Sequence, residues 1–469
     1  MTYGIERGNS FMTYKQARDF INETNKLGSV PGLDTITELM ARLDNPQDKL
    51  QVIHVAGTNG KGSTAAFLSS ILAVGGYRVG RYISPSVFSY REKLQIMTYS
   101  RPDDNEAGYM EPENDNGLNV AYISRDHVCK AIELIKVLCE DMVRDGHAHP
   151  TSFEIETAMA FMYMEWEQVD FLILETGMGG RLDATNVIRQ PICSIITSIS
   201  MDHMQYLGDS LDKIATEKAG IMKPNTPIIT CNQQPEAMNI LEERAKELGI
   251  YLFVSDISKL HDINYTNEYT EFSYPTNNEL SKYRIRLLSK YQVMNALLAL
   301  ESAYRMNEMG YRVTKEAIDR GLRLTEWHGR FERISNSPDF YIDGAHNEEA
   351  AKQLRDSIDL YFTNRRLIFM IGVLADKDYK SIVRILAPMA DTIITLTPDN
   401  LRALPSDRLA DEVRAYCSRV FDEKDTDHAL RRAYKEAGKD DVILAFGSLS
   451  FLGNLAASYS VRKDEENDR

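Results

Sequence analysis

At 469 residues, with 43% hydrophobic and 26% charged positions, the chain has an ordinary globular makeup and the length for two to four domains at roughly 100–200 residues each. Its formal net charge of −15 excludes a general affinity for nucleic acid or anionic membrane. The five cysteines (Cys129, Cys139, Cys193, Cys231, Cys417) are odd in number and form no CxxC pair, which excludes a disulfide or zinc framework and leaves reduced thiols.

Met1–Phe20 is polar and lacks the apolar stretch of a signal peptide. Runs such as Phe171–Leu174 are too short to span a bilayer, so a cytoplasmic protein without membrane contact is expected. From about residue 50 strands alternate with amphipathic helices, the pattern of an α/β protein with mostly parallel sheets. Gln51–Val55 reads as a buried strand, Gly57–Gly62 as a glycine-rich turn, Ser63–Val74 as a helix stopped by Gly75-Gly76, and Tyr77–Ile83 as the returning strand. The stretch 98–119 carries Asp103, Asp104, Glu106, Glu111, Glu113 and Asp115 against one arginine, and reads as an acidic, mobile surface insertion.

Helices are expected at Arg125–Arg144, Ser152–Trp166, Leu211–Ala219, Pro235–Leu248, Lys290–Met309 and Lys315–Gly321. Strands are expected at Val169–Leu174, Ile192–Ile196, Pro227–Thr230, Phe340–Ile342, Leu367–Ile371, Thr392–Leu396 and Val442–Phe446. The segment Thr325–Arg333 separates two α/β blocks, placing a domain boundary near Trp327: 1–326, then a smaller Rossmann-like domain at 327–469 with four strand–helix alternations. Arg462–Arg469 reads as a disordered charged tail.

The strongest chemical signal is Ala56-Gly57-Thr58-Asn59-Gly60-Lys61-Gly62-Ser63-Thr64, lying between a strand and a helix. Backbone N–H groups and a helix N-terminus in that setting bind a phosphate chain. Glycines let the backbone approach the phosphates, Lys61 offsets their charge, and the hydroxyl of Ser63 or Thr64 reaches a magnesium ion. Gly62 stands between the lysine and the hydroxyls, so the strict GxxxxGK[ST] pattern is not met. Glu175 ends an apolar strand, where a carboxylate orients a metal or its water, or is merely a strand-terminal acid.

The loop GTNGKGS at 57–63 resembles that of Mur ligases, and within them the folylpolyglutamate synthase/dihydrofolate synthase family. The likeness extends, in order, over Ser84-Pro85 with Arg91-Glu92 as a substrate-binding Ω-loop, Ser152-Phe153-Glu154, Leu174 to Asn186 (LETGMGGRLDATN), Ser200-Met201-Asp202-His203 and Glu217 to Ile221. It continues through Gly329-Arg330-Phe331-Glu332, Asp343-Gly344-Ala345-His346-Asn347 and Gly372 to Asp378. Ser86 stands where the family often has histidine, which bears on pterin contacts and not on ATP chemistry.

The resemblance implies a P-loop ATPase domain plus a Rossmann-like C-terminal domain, and an ATP-dependent ligase that joins L-glutamate to a folate or dihydropteroate through an acyl phosphate. It implies ATP on Gly57 to Thr64 with Asn295, Arg330, Asp343 and His346. Two magnesium ions would be held by Ser63, Ser84, Glu154 and His203, with allowance for a monovalent cation and a carbamate on Lys218. Lys61, Lys218, His203 and Glu154 form the implied catalytic set, and Ser84, Pro85, Arg91, Lys377 and Asp378 the substrate set, in a monomer. Local readings compete: Thr151 and Glu154 fit a helix capping box, His203 a polar strand end, and Lys218 a helix-dipole partner. Alternatives are a Mur-type ligase acting on a cell-wall precursor or poly-amino acid, a P-loop switch or motor, and a silent nucleotide-binding regulator.

Overall fold

The computed structural model describes residues 12–28, 30–100, 117–276 and 279–467. The first sheet contains β1 (Val52–Ala56), β2 (Val79–Tyr82), β3 (Leu94–Tyr99), β4 (Leu118–Tyr122), β5 (Phe171–Glu175), β6 (Cys193–Ile196), β7 (Ile228–Cys231) and β8 (Leu252–Ser255), in the order β4-β3-β2-β5-β1-β6-β7-β8. All neighbours are parallel except β2–β3 and β3–β4. Strands covered on both faces read as mostly apolar runs, and β1 and β5 are buried at every residue, including His54 and Glu175.

The helix Lys61–Val74 is buried nearly all round, because it lies under the sheet and against the helices Lys290–Glu308 and Lys315–Leu324. Gly321 makes that contact possible: a Cβ there would stand 2.4 Å from the Ile71 Cα. The last helix runs to Leu324, one turn beyond the expected Gly321.

A second, antiparallel sheet of β9 (His261–Tyr265), β10 (Thr270–Thr276) and β11 (Glu279–Ile285) was not expected from the sequence. Nor were the N-terminal helices Tyr14–Thr24 and Asp34–Arg42. The third sheet contains β12 (Glu332–Asn336), β13 (Asp339–Ile342), β14 (Leu367–Ile371), β15 (Thr392–Thr395), β16 (Val420–Asp422) and β17 (Val442–Phe446), in the order β12-β13-β17-β14-β15-β16. It is parallel apart from the β12–β13 pair, and β12 and β16 add to the four expected strands.

Of the acidic stretch 98–119, residues 101–116 lie outside the described ones, and its flanks pair in the β3–β4 ladder. The charged tail departs from expectation: the final helix, Leu449–Asn467, continues through it, as its lysine and glutamates, good helix formers, permit. All five cysteines are buried and unbridged. Among the described residues no helix is long and apolar enough to cross a membrane.

In the first sheet the carboxyl ends of β2, β5, β1 and β6 lie side by side, and chain segments leaving them carry Ser84, Glu175, the 57–60 turn and Asp202-His203. In the third, the ends of β13, β14 and β17 launch 343–347, 372–377 and 447–450. Open parallel sheets bind ligands at these ends. Here residues from the two sets line one cavity.

Candidate active site

The turn after β1 is shaped by close contacts. Gly60 has φ 87°, caps the helix Lys61–Val74, and a Cβ on it would stand 2.3 Å from Asn295 Oδ1. A Cβ on Gly57 would overlap Thr197 Oγ1 at 1.8 Å. Thr197 and Ser198 hydroxyls donate to the Asn59 carbonyl, at 2.7 and 3.2 Å, and fix the turn against the end of β6.

Two ammonium groups converge on one carbonyl. Lys61 Nζ donates to the oxygens of Gly57 and Thr58, both at 3.1 Å, and Lys218 Nζ donates to the Gly57 oxygen at 2.8 Å. Lys218 is 3% exposed. Burial, reinforced by the neighbouring Lys61 charge, pushes its amine down to about 7. Such crowding of two lysine side chains at the N-terminus of the helix Lys61–Val74 suits a polyanion.

These groups face a cavity of about 430 Å³. Its wall on the first-sheet side includes Gly57 to Ser63, Ser84, Pro85, Glu175, Asp202, His203 and Lys218; across it lie Arg330, Asp343, His346 and Lys377. Asp343 is held by N–H groups of Phe331 and Ala345, each at 2.8 Å, and by the Tyr291 hydroxyl at 3.2 Å. Burial raises its carboxyl above the usual range against the pull of Arg330. Arg330 crosses Gly344 so tightly that a Cβ there would meet its Nη1 at 2.1 Å.

Asp202 is the hub between the two halves. Lys377 Nζ donates to it at 3.0 Å, Asn347 Nδ2 at 3.3 Å, and the Nε2 atoms of His203 and His346 lie at 3.8 and 3.9 Å. Asn347 also exchanges hydrogen bonds with Asn59 at 3.1 and 3.3 Å, joining the turn after β1 to the same network. Burial works against the Asp202 carboxylate, but His203, Lys377 and His346 outweigh it and hold the carboxyl well below the usual range. Burial lowers His203 to about 4, with Asp202 opposing, and lowers His346 to about 4 with help from Lys377. His346 Nδ1 donates to the Gly344 carbonyl at 2.7 Å, which fixes its neutral tautomer.

A second cavity, of about 510 Å³, opens beside the first. Gly62, Ser84, Pro85, Glu175 and Arg330 belong to the walls of both. Its far walls include Phe88, Met97, Val120, Tyr122 and Trp327. Glu92 organises the loop over it by accepting N–H groups of Val87, Phe88 and Ser89.

Not every expected residue lines these cavities. Glu154 uses Oε2 in the capping box, bonded to the Thr151 N–H and hydroxyl at 2.8 Å each, and is absent from both walls. Asn295 is bonded to Gln292 at 3.0 Å and packs on Gly60; Asp378 caps the helix Tyr379–Leu386; Arg91 donates to the Ile123 carbonyl at 3.1 Å. Residues the sequence reading missed are Asp202, Tyr291, Asn400, Arg402, Ser448 and Ser450, all in the first cavity's wall. Asp202 alone carried a signal, sitting beside His203 in a recognised segment.

Glu175, buried at the shared wall, is pushed up to about 7 by burial despite the attraction of Lys61 and Arg330 and the Ser84 N–H. Below its ordinary 4.5 both folded and unfolded chains hold the proton; between 4.5 and about 7 only the folded one does, so stability falls across that window. Glu175→Gln is expected to raise the unfolding midpoint of the ligand-free protein above pH 7, with the gain vanishing below 4.5. Calorimetry across pH checks this, and a pH-independent difference would refute it.

Residues 120–303 match the Mur ligase middle domain and residues 329–449 the Mur ligase glutamate ligase domain. The chain is 34% identical over 454 residues to the dihydrofolate synthase/folylpolyglutamate synthase of Bacillus subtilis, covering 95% of this chain and 99% of that one. It is 30% identical to the folylpolyglutamate synthase of Lacticaseibacillus casei, covering 84% and 88%. Among solved structures, Mycobacterium tuberculosis folylpolyglutamate synthase complexed with ADP superposes with a TM-score of 0.82 at 27% identity, covering 96% and 98%. Escherichia coli FolC in complex with DHPP and ADP gives 0.78 at 26%, covering 98% and 100%.

Proposed function

This chain belongs to the Mur ligase superfamily, in its folylpolyglutamate synthase/dihydrofolate synthase family, and from that premise we propose how its two joined cavities carry out the ligation. The chain is an ATP-dependent ligase that adds glutamate to a folate. The observation that carries the assignment of parts is the shared wall: a nucleotide in the 430 Å³ cavity and an acceptor in the 510 Å³ cavity meet at Gly62, Ser84, Glu175 and Arg330.

The triphosphate lies along Gly57 to Thr64, with its γ-phosphoryl toward Ser84 and Arg330 and its sugar toward Asp343 and His346. An acceptor carboxylate oxygen attacks the γ-phosphorus as the bond to the β,γ-bridging oxygen breaks, giving an acyl phosphate and ADP. The glutamate amine then attacks the acyl carbon and loses its proton, and inorganic phosphate departs with the C–O electron pair. Two anions must approach, and Lys61 and Arg330 offset their repulsion. Closure of residues 327–469 over 1–326, tied by Asp202 to Lys377 and Asn347, excludes water from the acyl phosphate. Lys377, which lines the opposite wall, receives the incoming glutamate's carboxylates.

The donor chemistry fits magnesium: Ser63, Ser84 and Glu175 offer hard oxygens on one wall beside the neutral His203, and the buried Thr64 Oγ1 has no hydrogen-bond partner among the described residues. Bound there, magnesium would neutralise phosphate charge. Lys218, buried beside Lys61 with a carbonyl as its hydrogen-bond acceptor, suits conversion to a carbamate by CO2, which would turn a repelled cation into an anion.

The test is a ligation assay with ATP and glutamate, offering dihydropteroate and tetrahydrofolate side by side and reading products by mass. ADP released in step with an amide on either acceptor supports the reading. ADP release without amide, or amide formed on a muramyl-peptide precursor instead, overturns it.

A further inference from the structure

Arg81 stands on β2 directly opposite Gln95 on β3, on the sheet face that carries Val79 and Met97 into the core. An apolar side chain would continue that core. Instead a guanidinium, 3% exposed, forms part of the floor of the 510 Å³ cavity. Its Nε donates to Gln95 Oε1 at 3.1 Å, its Nη2 reaches the same oxygen, and Gln95 Nε2 is fixed by the Glu92 carbonyl at 2.6 Å. Its face lies on the Trp327 ring, with the guanidinium carbon 4.8 Å from the centroid.

Two donors are left over. Arg81 Nη1 and Trp327 Nε1 are both buried without a hydrogen-bond partner among the described residues, and both side chains line this cavity. Burying an N–H without an acceptor is costly, so a built pair of this kind points to a ligand that brings acceptor atoms. The walls select among acceptors. Phe88, Tyr122 and Trp327 suit a flat ring, while Glu92 and Glu326 stand on the same walls as Arg81 and Arg286, so their charges offset one another and leave no cationic excess that calls for a further anion there. A neutral carbonyl on a fused heteroaromatic ring meets both conditions. The acceptor's carboxylate belongs at the other end, at the wall shared with the phosphate cavity.

We infer that Arg81 and Trp327 are specificity-determining residues that donate to the carbonyl-bearing edge of the acceptor's fused ring. The inference rests on the folate-acceptor reading above and adds which atoms of this chain read the ring. A ligand in which an amino group replaces that ring carbonyl presents a donor where the site needs an acceptor, and is discriminated against.

The experiment measures dissociation constants, by titration calorimetry with ADP present, for two pteridine ligands that differ only in a 4-oxo or 4-amino group. The unaltered protein is expected to favour the 4-oxo ligand at least about tenfold. Arg81→Met fills the space with an apolar side chain and is expected to weaken 4-oxo binding roughly 10- to 100-fold, to change 4-amino binding little, and to leave ADP affinity unchanged. Trp327→Phe keeps the ring face and removes the N–H, narrowing the ratio by a smaller factor. Arg81→Lys keeps the charge, loses the fork, and narrows it too. An Arg81→Met protein that retains the original 4-oxo over 4-amino ratio overturns the inference. Should that variant fail to fold, unchanged ratios in both Trp327→Phe and Arg81→Lys overturn it equally. A protein that takes up ADP but neither pteridine refutes the folate reading itself.

Discussion

Lys61→Ala is expected to lower kcat by about 10³-fold or more while leaving the unfolding midpoint unchanged or slightly raised. The reason is the crowding at the phosphate turn. Lys61 and Lys218 both donate to the Gly57 carbonyl, at 3.1 and 2.8 Å, and after burial the Lys61 charge does most to lower the Lys218 amine. Without a polyanion these cations repel each other, so deleting one relieves the ligand-free fold. With a triphosphate in place, the same deletion removes charge compensation at the transferring phosphoryl. Activity and stability therefore move independently, or in opposite directions. Steady-state kinetics, ADP titration and thermal unfolding of the one variant check the claim. Near-normal turnover would mean that the turn does not hold the phosphates.

The architecture was legible where local rules dominate. Arg125–Arg144 and Ser152–Trp166 match to the residue because Ser124 and Thr151 announce their starts, and Pro235–Leu248 because Pro235 and Gly249 bracket it. The β9–β11 sheet was missed because its strands mix polar residues into the alternation and Pro275 interrupts β10. Strand β16 is three residues long, too short to leave a pattern. The same contrast governs the site. The glycine-rich turn is contiguous, and its place between a strand and a helix was read directly. Asp202 acquires its meaning from Lys377, 175 positions away, and no local rule joins them. At Glu154 the capping box, spanning the four residues from Thr151, is what the structure displays. Arg81 did leave a trace, a charge two positions after Val79 on a strand face otherwise bound for the core, but the run Tyr77–Ile83 was read only as a strand.

Asp202→Asn is expected to cost both stability and turnover, with kcat falling at least about 100-fold. Asp202 and Lys377 are 11% and 13% exposed in their side chains, so removing one charge strands the other in a poorly solvated place, at about 3–5 kcal/mol. Lys377→Met should be comparably destabilising for the same reason. The double variant should recover much of the lost stability, since neither charge then lacks its partner, and a double-mutant cycle should return a large coupling energy. Activity should not recover, because the pair also ties the phosphate side to the segments after β13 and β14, through Asn347 and Lys377. The acid limb supplies an independent check. The Asp202 carboxyl is held below the usual range, so its contribution is complete above the unfolded value of about 3.9 and is lost as pH falls through the lower folded one. The stability gap between the unaltered protein and Asp202→Asn should thus stay constant from neutral pH to about 4 and close only below it. Small-angle scattering with ADP bound should find a larger radius of gyration in Asp202→Asn, as the halves part. An Asp202→Asn protein with unaltered midpoint, turnover and radius would mean that the contact is incidental and that the halves are held together elsewhere.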